Sequence, residues 1–395
     1  MINWQKTLAA AAFTALALGG CGGGGSDVAE GGISGTGVTY GPISAFGSIW
    51  VNGIRYDTSD SEILVNGERS DDSALGLGMM VAVTGTVNQD GVSGKAETVE
   101  FSGEVEGPVD SIEFSPDGSG SMVVLGQVVL FSSDTVFEAG DTDIRPGDIL
   151  VGALVEVSGL TDGNGVIVAT RIEVESADWA GEEIKVKGVI QDLAATTFRI
   201  GELVVDWSQT ALLPADPLAN GLYVEVESDR GFDDAGSLLA DRIELEGDGS
   251  LELGDDGEEV NILGVVTEPL SGGVFLLNGQ AVRITDATEI DDGTINDLVL
   301  NALVKVEGIR TDEEILAEEV EFKDSFDDDS GDDSDDDSGD DSGDDSGDDS
   351  GDDSGDDSGD DSGDDSGDDS GDDSGDDSGD DSGDDSGDDS ASSTF

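Results

Sequence analysis

The sequence predicts an all-β chain of four small tandem modules, each a tight antiparallel barrel or sandwich, followed by an acidic tail that we expect to be disordered. Three observations predict this fold class. Short runs alternate between apolar and polar residues, Gly, Asp and Asn separate the runs, and the same landmarks recur four times in the same order. The alternation is typical of strands with one buried face, and the separating residues favour chain reversal.

The repeated unit contains a strand introduced by Gly or Asn and, after a turn, a closing strand with a small residue. In the clearest copy, Gly152 introduces the first of these strands, Gly159 ends it, and Ala169 lies in the closing strand. From the introducing residue to the small residue, the four copies have spacings of 18, 17, 19 and 16 residues. Such regularity indicates a repeated supersecondary unit. The residues that define the motif are Gly78, Gly85, Gly152, Gly159, Gly221, Asn301 and Gly308.

Each copy also carries a short hairpin signal upstream of this motif. In the first and fourth copies it contains Asn52-Gly53 and Asn278-Gly279, and Asn-Gly is the favoured pair for a two-residue reversal. The hairpin raises the total to about five short strands per copy, with no convincing helix. Five strands around one small core suggest a barrel of the oligonucleotide/oligosaccharide-binding (OB) type or a tight sandwich, and closure would protect the sheet edges.

These landmarks resemble the bacterial domain-of-unknown-function family 5666. The resemblance rests on Gly-x-x-Val-x-Val-x-Gly followed by Ala-x-x-Ile/Val-Glu, and it covers residues 38–323. Copy three departs from the pattern, because Ser228 stands where the second Gly is expected and Pro214 and Pro217 interrupt the preceding loop. Copy four has Asn301 for the leading Gly, which is a mild change since Asn tolerates the left-handed region. The family implies no agreed activity and no catalytic residues.

The segment boundaries follow from the landmarks and from the composition between them. Acidic linkers separate copies two and three, and copies three and four, so we expect a jointed rod rather than one globule. The predicted segments are a signal peptide (1–20), a Gly-rich tether (21–37), four β modules (38–102, 103–176, 185–246 and 260–323) and the acidic tail (324–395).

The N-terminal segment resembles the signal peptide of a bacterial lipoprotein. Lys6 precedes an apolar run from Leu8 to Leu18 that is too short to span a bilayer. Leu18-Gly19-Gly20-Cys21 resembles a lipobox, and the sole Cys of the chain falls at the position that such proteins lipidate. The residue after it is Gly22 rather than Asp, which implies the outer membrane. We therefore expect a lipid anchor on Cys21 that holds the protein at the outer membrane, facing the periplasm or the exterior.

The chain carries 94 acidic and 15 basic residues, a formal net charge of −79. Nucleic acid is disfavoured as a partner, because phosphate contacts require clusters of Lys and Arg. The Gly-Asp-Asp-Ser repeat from Asp327 to Ser390 holds 34 of the acidic residues. Its carboxylates predict weak, screening-type binding of Ca²⁺ or other hard cations, although its period does not match the ligand spacing of an EF-hand loop. Representative residues are Asp332, Asp333, Asp340 and Asp341.

Little of the sequence points to catalysis. The complete absence of His removes the commonest general base and transition-metal ligand, and a single Cys can form no internal disulfide or thiolate zinc site. Trp50, Trp179 and Trp207 could stack on sugars, but we expect core packing for Trp50 and Trp207 and a linker anchor at Trp179. Asp162-Gly163-Asn164 could chelate Ca²⁺, yet it is ordinary turn chemistry.

The sequence therefore predicts a non-catalytic envelope lipoprotein that presents tandem β modules for binding or spacing. Its partner would be a protein or polysaccharide of the envelope, and it would need no cofactor beyond weakly bound Ca²⁺. The alternative is a carbohydrate-active enzyme that works with carboxylates alone. Divergent loops in one copy would favour this enzyme, and copy three is the place to look for them. Because the shared motif is structural, function, if it is local, should lie where the copies differ.

Overall fold

The computed structural model describes residues 35–116, 118–140, 142–246, 253–311 and 314–326. These residues form 26 strands and three short 3-10 helices. The predicted all-β class is confirmed, and the modules are five-strand barrels rather than sandwiches. Within the described ranges, no helix has the length and apolar character needed to cross a membrane.

Module 1 closes into a barrel of five strands. It consists of β1 (Gly35–Ala45), β2 (Ile49–Val51), β3 (Ile54–Asp57), β4 (Glu62–Val65), β5 (Glu68–Ser70), η1 (Asp72–Ala74), β6 (Met80–Val87) and β7 (Ser93–Phe101). Hydrogen-bonded pairs run from β1 to β2, β3, β7, β6 and back to β1. The β3–β7 pair is parallel and the other four are antiparallel. A closed circuit leaves few open edges within the barrel.

Modules 2 and 4 repeat this circuit. Module 2 consists of β8 (Val105–Phe114), β9 (Gly120–Val124), β10 (Gln127–Phe131), β11 (Val136–Ala139), β12 (Thr142–Asp143), η2 (Pro146–Asp148), β13 (Leu154–Thr161) and β14 (Ile167–Ser176). Module 4 consists of β21 (Glu259–Ser271), β22 (Val274–Leu277), β23 (Gln280–Arg283), β24 (Glu289–Asp291), η3 (Ile295–Asp297), β25 (Leu303–Arg310) and β26 (Ile315–Phe322). In both, the third strand pairs in parallel with the closing strand, as β10–β14 and β23–β26.

Module 3 is the irregular copy. It consists of β15 (Ile184–Val189), β16 (Thr197–Ile200), β17 (Leu203–Asp206), β18 (Tyr223–Ser228), β19 (Leu238–Leu239) and β20 (Arg242–Leu245). Its closing strand is divided, so that β19 pairs with β17 and β20 pairs with β18. Where the other modules place a short strand and a 3-10 helix between the third and fourth barrel strands, module 3 has neither.

The barrels pair with one another through their first strands, so the predicted jointed rod is wrong. β1 and β21 pair in parallel from Gly37↔Glu259 to Tyr40↔Ile262 and join modules 1 and 4 into one sheet. β8 and β15 pair antiparallel and join modules 2 and 3. The reason is local: the N-terminal half of β1, β8 and β21 pairs with only one strand of its own barrel, which leaves its other edge free to accept a neighbouring module.

The cores follow the same pairing. Module 1 encloses its own apolar core, the core of module 4 also includes Val38 of β1, and modules 2 and 3 share one core. A smaller cluster of Met80, Leu160 and Val265 joins modules 1, 2 and 4, and Phe326 packs against it. Burying such residues away from water stabilises the association, by roughly 1.5–3 kcal/mol for each fully buried large side chain.

A buried polar network lies at the joint between modules 1 and 4. The Asn52 amide nitrogen donates to Asn261 Oδ1 at 2.8 Å, and the Asn261 amide nitrogen donates to Glu307 Oε1 at 3.0 Å. Thr39 and Tyr56 share a hydrogen bond of 2.7 Å. All five side chains are less than a tenth exposed. Because an unpaired polar group would be costly at this depth, the network favours this particular pairing of modules.

Candidate ligand-binding site

The four leading motif residues share one backbone conformation. Gly78, Gly152 and Gly221 have φ values of 77°, 92° and 90°, and Asn301 has a φ of 68°. Each residue stands just before the fourth barrel strand, where the chain turns through the left-handed region. Gly and Asn accept this region at low steric cost, so the requirement at these positions is conformational.

The second motif glycines allow the fourth strand to approach the closing strand closely. Gly85, Gly159 and Gly308 lie at irregularities in the strand register, and a Cβ on any of them would overlap a backbone carbonyl oxygen of the closing strand. In module 3, Ser228 takes this position and ends β18. Its buried hydroxyl donates to the Leu239 carbonyl oxygen, the equivalent group, at 2.7 Å. The motif residues therefore hold the barrel together rather than binding a ligand.

A group of carboxylates lies on module 2. Oxygen atoms of Glu156, Glu173 and Glu175 lie within 4.8 Å of one another. Asn66 of module 1 donates to Glu156 Oε1 at 2.6 Å, and Arg171 Nη2 lies 2.7 Å from Glu173 Oε2. Two of the three carboxylates thus already have protein donors. This arrangement fits a joint between modules 1 and 2 better than an open cation site.

Glu106 on β8 extends this row of acids toward module 3. It lies opposite Glu156 on one side and Lys185 on the other. Burial and the charge of Glu156 raise the pKa of Glu106 to about 7, while Lys185 opposes the rise. Burial likewise raises the pKa of Glu156. A raised carboxyl pKa can mark a general acid, but these residues line neither of the two cavities described below.

The Asp162 turn, considered above as a Ca²⁺ chelate, forms a contact between modules. Asp162 Oδ1 accepts hydrogen bonds from the backbone N–H groups of Asn164 and Val166 at 2.7 and 2.9 Å. Its other oxygen accepts a hydrogen bond from the Asn301 amide of module 4 at 2.9 Å. Asn301 Oδ1 in turn accepts from the Gly163 N–H at 3.2 Å. Both carboxylate oxygens are therefore engaged within the protein.

The three tryptophans within the described residues have different environments. Trp179 stacks edge-on against Phe232 with ring centres 5.8 Å apart and donates to the Glu182 carbonyl, which confirms the predicted linker anchor. Trp50 is only half-buried, because it points outward between the buried residues Ile49 and Val51 of β2, so the prediction of core packing was wrong for this residue. Trp207 packs against the core that modules 2 and 3 share, as expected, and also lines a cavity.

This cavity is the candidate ligand-binding site. It has a volume of about 400 Å³ and lies in module 3, between the β15–β16 connection and the connection from β17 to β18. Its inner wall includes Trp207, Leu193 and Leu218, which also contact the shared core. The full lining is Leu193, Ala194, Ala195, Trp207, Leu213, Pro214, Ala215, Asp216, Pro217 and Leu218. Its volume is within the range of small-molecule sites, and six of the ten lining residues are exposed, so it is an open concavity.

The wall of the cavity is held at both ends. Leu212 bridges to Arg242 of the closing strand, and its carbonyl oxygen accepts the Ile243 N–H at 3.0 Å. At the far end, the Asn220 side chain accepts the Leu193 N–H at 2.8 Å. Between these anchors, Pro214 and Pro217 fix two φ angles and limit the freedom of the loop. The loop that forms this wall is therefore fixed at both ends.

The Trp207 indole N–H is buried and has no hydrogen-bond partner among the described residues. An unsatisfied buried donor costs about 1–3 kcal/mol.

The sequence marked the loop through Pro214 and Pro217 as divergent. It did not predict that this loop forms a wall of the cavity, because no local pattern signals a cavity.

A second, smaller cavity of about 280 Å³ lies in module 1. Asp60, Thr86, Lys95, Ala96 and Glu97 line it, and Lys95 Nζ lies 2.9 Å from Asp60 Oδ2 across an exposed surface. Exposed ion pairs of this kind contribute little binding energy.

The predicted lipidation residue and the representative tail carboxylates lie outside the described residues; these are Cys21, Asp332, Asp333, Asp340 and Asp341.

Comparison with known proteins accounts for the repeated barrels. The family model described as a domain of unknown function, DUF5666, matches residues 40–100, 106–173, 187–244 and 264–321. Each match begins in or near the first strand of a barrel and reaches its closing strand. No curated protein matches the chain. The chain therefore belongs to the DUF5666 family and contains four copies of its domain.

Proposed function

We propose that this protein is a non-catalytic bacterial lipoprotein of the outer membrane that binds a partner through module 3. The observation that carries the proposal is the cavity beside Trp207, which lies in the one module whose connection departs from the other three. Module 2 supports module 3 through the β8–β15 strand pair and the core that the two modules share. Lipid on Cys21 and the tether of residues 21–37 would attach the assembly to the membrane.

The anchor is tested by fractionation and mass spectrometry. We expect the wild-type chain to occur in the membrane fraction with an acylated N-terminal Cys21. The Cys21→Ser variant should lack the acyl mass and should be absent from the outer-membrane fraction. A wild-type protein that lacks acyl chains would overturn the anchor.

The binding role is tested by cross-linking in intact cells, with partners identified by mass spectrometry. The full chain and a chain that ends at Ser325 should capture the same envelope protein or polysaccharide. Capture that disappears when only the tail is removed would transfer the binding role to the tail. Calorimetric titration of the same two chains with Ca²⁺ measures the tail directly, and we expect weak, salt-sensitive binding in the full chain alone.

The alternative is a carbohydrate-active enzyme, and Glu106 favours it because a carboxyl with a pKa of about 7 suits a general acid. Incubation of the full chain with a panel of polysaccharides separates the two functions. The binding proposal predicts no release of reducing sugar. Hydrolysis that Glu106→Gln abolishes, and that Glu113→Gln on the exposed end of the same strand leaves intact, would establish the enzyme.

A further inference from the structure

The cavity of module 3 has a definite chemical character. Nine of its ten lining residues are Leu, Ala, Pro or Trp, and Asp216 is the one charged residue among them. No Asn, Gln, Arg, Ser or Thr side chain lines it, so it lacks the several hydrogen-bonding groups that a sugar would need. The lining favours an occupant with an apolar body, and the carboxylate of Asp216 favours a positive charge at its exposed end.

The charge of the protein also favours a cation. The whole chain carries a net charge of −79, so its field concentrates cations at the surface and repels carboxylates and phosphates. A fatty acid or a phosphorylated ligand would enter this cavity against both Asp216 and the field of the protein.

We propose that the module 3 cavity binds an alkylammonium ion, with its apolar chain against Trp207, Leu193 and Leu218 and its ammonium group beside Asp216. This inference rests on the proposed function, because it names the class of ligand for the same site. The ligand can be a free amine or the ammonium group of a larger molecule. The cavity volume of about 400 Å³ accommodates a chain of several carbon atoms.

The test is a titration of the Cys21→Ser chain with hexylammonium, hexan-1-ol and hexanoate, which share one chain and differ in charge. The indole N–H signal of Trp207, assigned by its loss in Trp207→Phe, reports on the cavity in two-dimensional NMR. We expect hexylammonium to shift this signal and to bind at least about tenfold more tightly than hexanoate, with hexan-1-ol between them. Added salt should reduce the difference in affinity between hexylammonium and hexanoate, because it screens the charge of the protein.

Asp216→Asn is the discriminating variant, because Asp216 is exposed and its substitution leaves the apolar wall intact. We expect it to weaken hexylammonium binding by about fivefold and to leave hexan-1-ol unchanged. The matched control is Asp234→Asn, an exposed aspartate of module 3 outside the cavity, which should change neither affinity. Equal binding of the three probes, no shift with any of them, or no effect of Asp216→Asn would overturn the inference.

Failure here is distinguishable from failure of the proposed function. If hexylammonium does not bind while an envelope partner still cross-links to module 3, the binding role stands and the ligand class is wrong. If hexylammonium binds while module 3 captures no partner, the cavity accepts amines but the partner-binding role fails.

Discussion

Modules 2 and 3 share one core but differ in the connection between their third and fourth barrel strands. In module 2 this connection contains β11, β12 and η2. β11 pairs in parallel with the closing strand from Val136↔Arg171 to Glu138↔Glu173. In module 3 the equivalent pairing is reduced to one bridge, Leu212↔Arg242. Module 3 has no counterpart of η2 or of a full β11, and its Pro-rich connection borders the half-open cavity beside Trp207. The altered connection and the cavity therefore occur in the same module.

The closing strands differ in the same way. In module 2, Gly159 allows β13 to continue past a bulge against an unbroken β14. In module 3, Ser228 stands at the position equivalent to Gly159. β18 ends at this residue, and the closing strand is divided into β19 and β20. The single replacement of Gly by Ser accompanies the change from a regular to an open barrel.

The largest effect on stability should come from placing a side chain at Gly159, the second motif glycine of module 2. Gly159→Ala should destabilise the protein by about 3 kcal/mol or more, because its Cβ would overlap the Val168 carbonyl oxygen in the backbone of the closing strand. Ser228→Gly in module 3 should cost only about 1 kcal/mol, since it loses hydrogen bonds of the hydroxyl without creating a clash.

Urea unfolding of both variants, followed by circular dichroism, measures the difference. Amide hydrogen exchange of β13 and β18 assigns each loss to its module. Equal losses in the two variants would contradict the distinction between a close-packed module 2 and an open module 3.

The second effect concerns the joint between the two modules, where Glu106 of β8 lies opposite Lys185 of β15. The pKa of Glu106 is raised from 4.5 to about 7, so the folded protein binds more protons than the unfolded chain between these values. The contribution of this carboxyl to stability is therefore highest at acidic pH and falls as the pH rises through the window from 4.5 to about 7. Glu156 and Glu175 strengthen this trend by repulsion.

Glu106→Gln removes the titrating carboxyl, so the difference from the wild type gives the contribution of this group to the free energy of unfolding. We expect the variant to match the wild type near pH 4.5 and to exceed its free energy of unfolding by up to about 2 kcal/mol at pH 8, a value reduced for partial exposure. Urea midpoints across this pH range make the comparison, with Glu113→Gln as the control on the exposed end of β8. A constant difference between Glu106→Gln and the wild type at all pH values would contradict the raised pKa.

The smallest effect concerns the contact of module 2 with module 4. Asn301→Gly keeps the left-handed backbone and loses two exposed side-chain hydrogen bonds to the Asp162 turn, so it should cost about 0.5–1 kcal/mol. Asn301→Ala loses the same bonds and adds the left-handed strain, so it should cost about 1–2 kcal/mol more than Asn301→Gly. Thermal midpoints of the two variants test this order, and an alanine variant as stable as the glycine variant would contradict it.

Local patterns predicted the architecture of each module well. The strand alternation, the four landmarks and the tolerance of Asn301 for positive φ all depend on residues close in sequence. The pairing of modules escaped prediction, because β1, β8 and β21 join other barrels through backbone hydrogen bonds, and supporting side chains such as Asn52 and Asn261 lie far apart in the chain. The acidic linkers suggested separation, although Trp179 anchors one of them to module 3. Ser228, Pro214 and Pro217 marked the divergent module, but the cavity itself depends on residues far apart in the chain.

The central claim is that binding resides in module 3, and site-specific photo-cross-linking in intact cells tests it most directly. A photoreactive residue replaces Leu213 of the cavity loop, or Leu150 of module 2, or Val299 of module 4, three exposed apolar residues from connections between third and fourth strands. We predict capture of an envelope partner from position 213 alone. Capture from positions 150 or 299 with none from position 213 would contradict the claim.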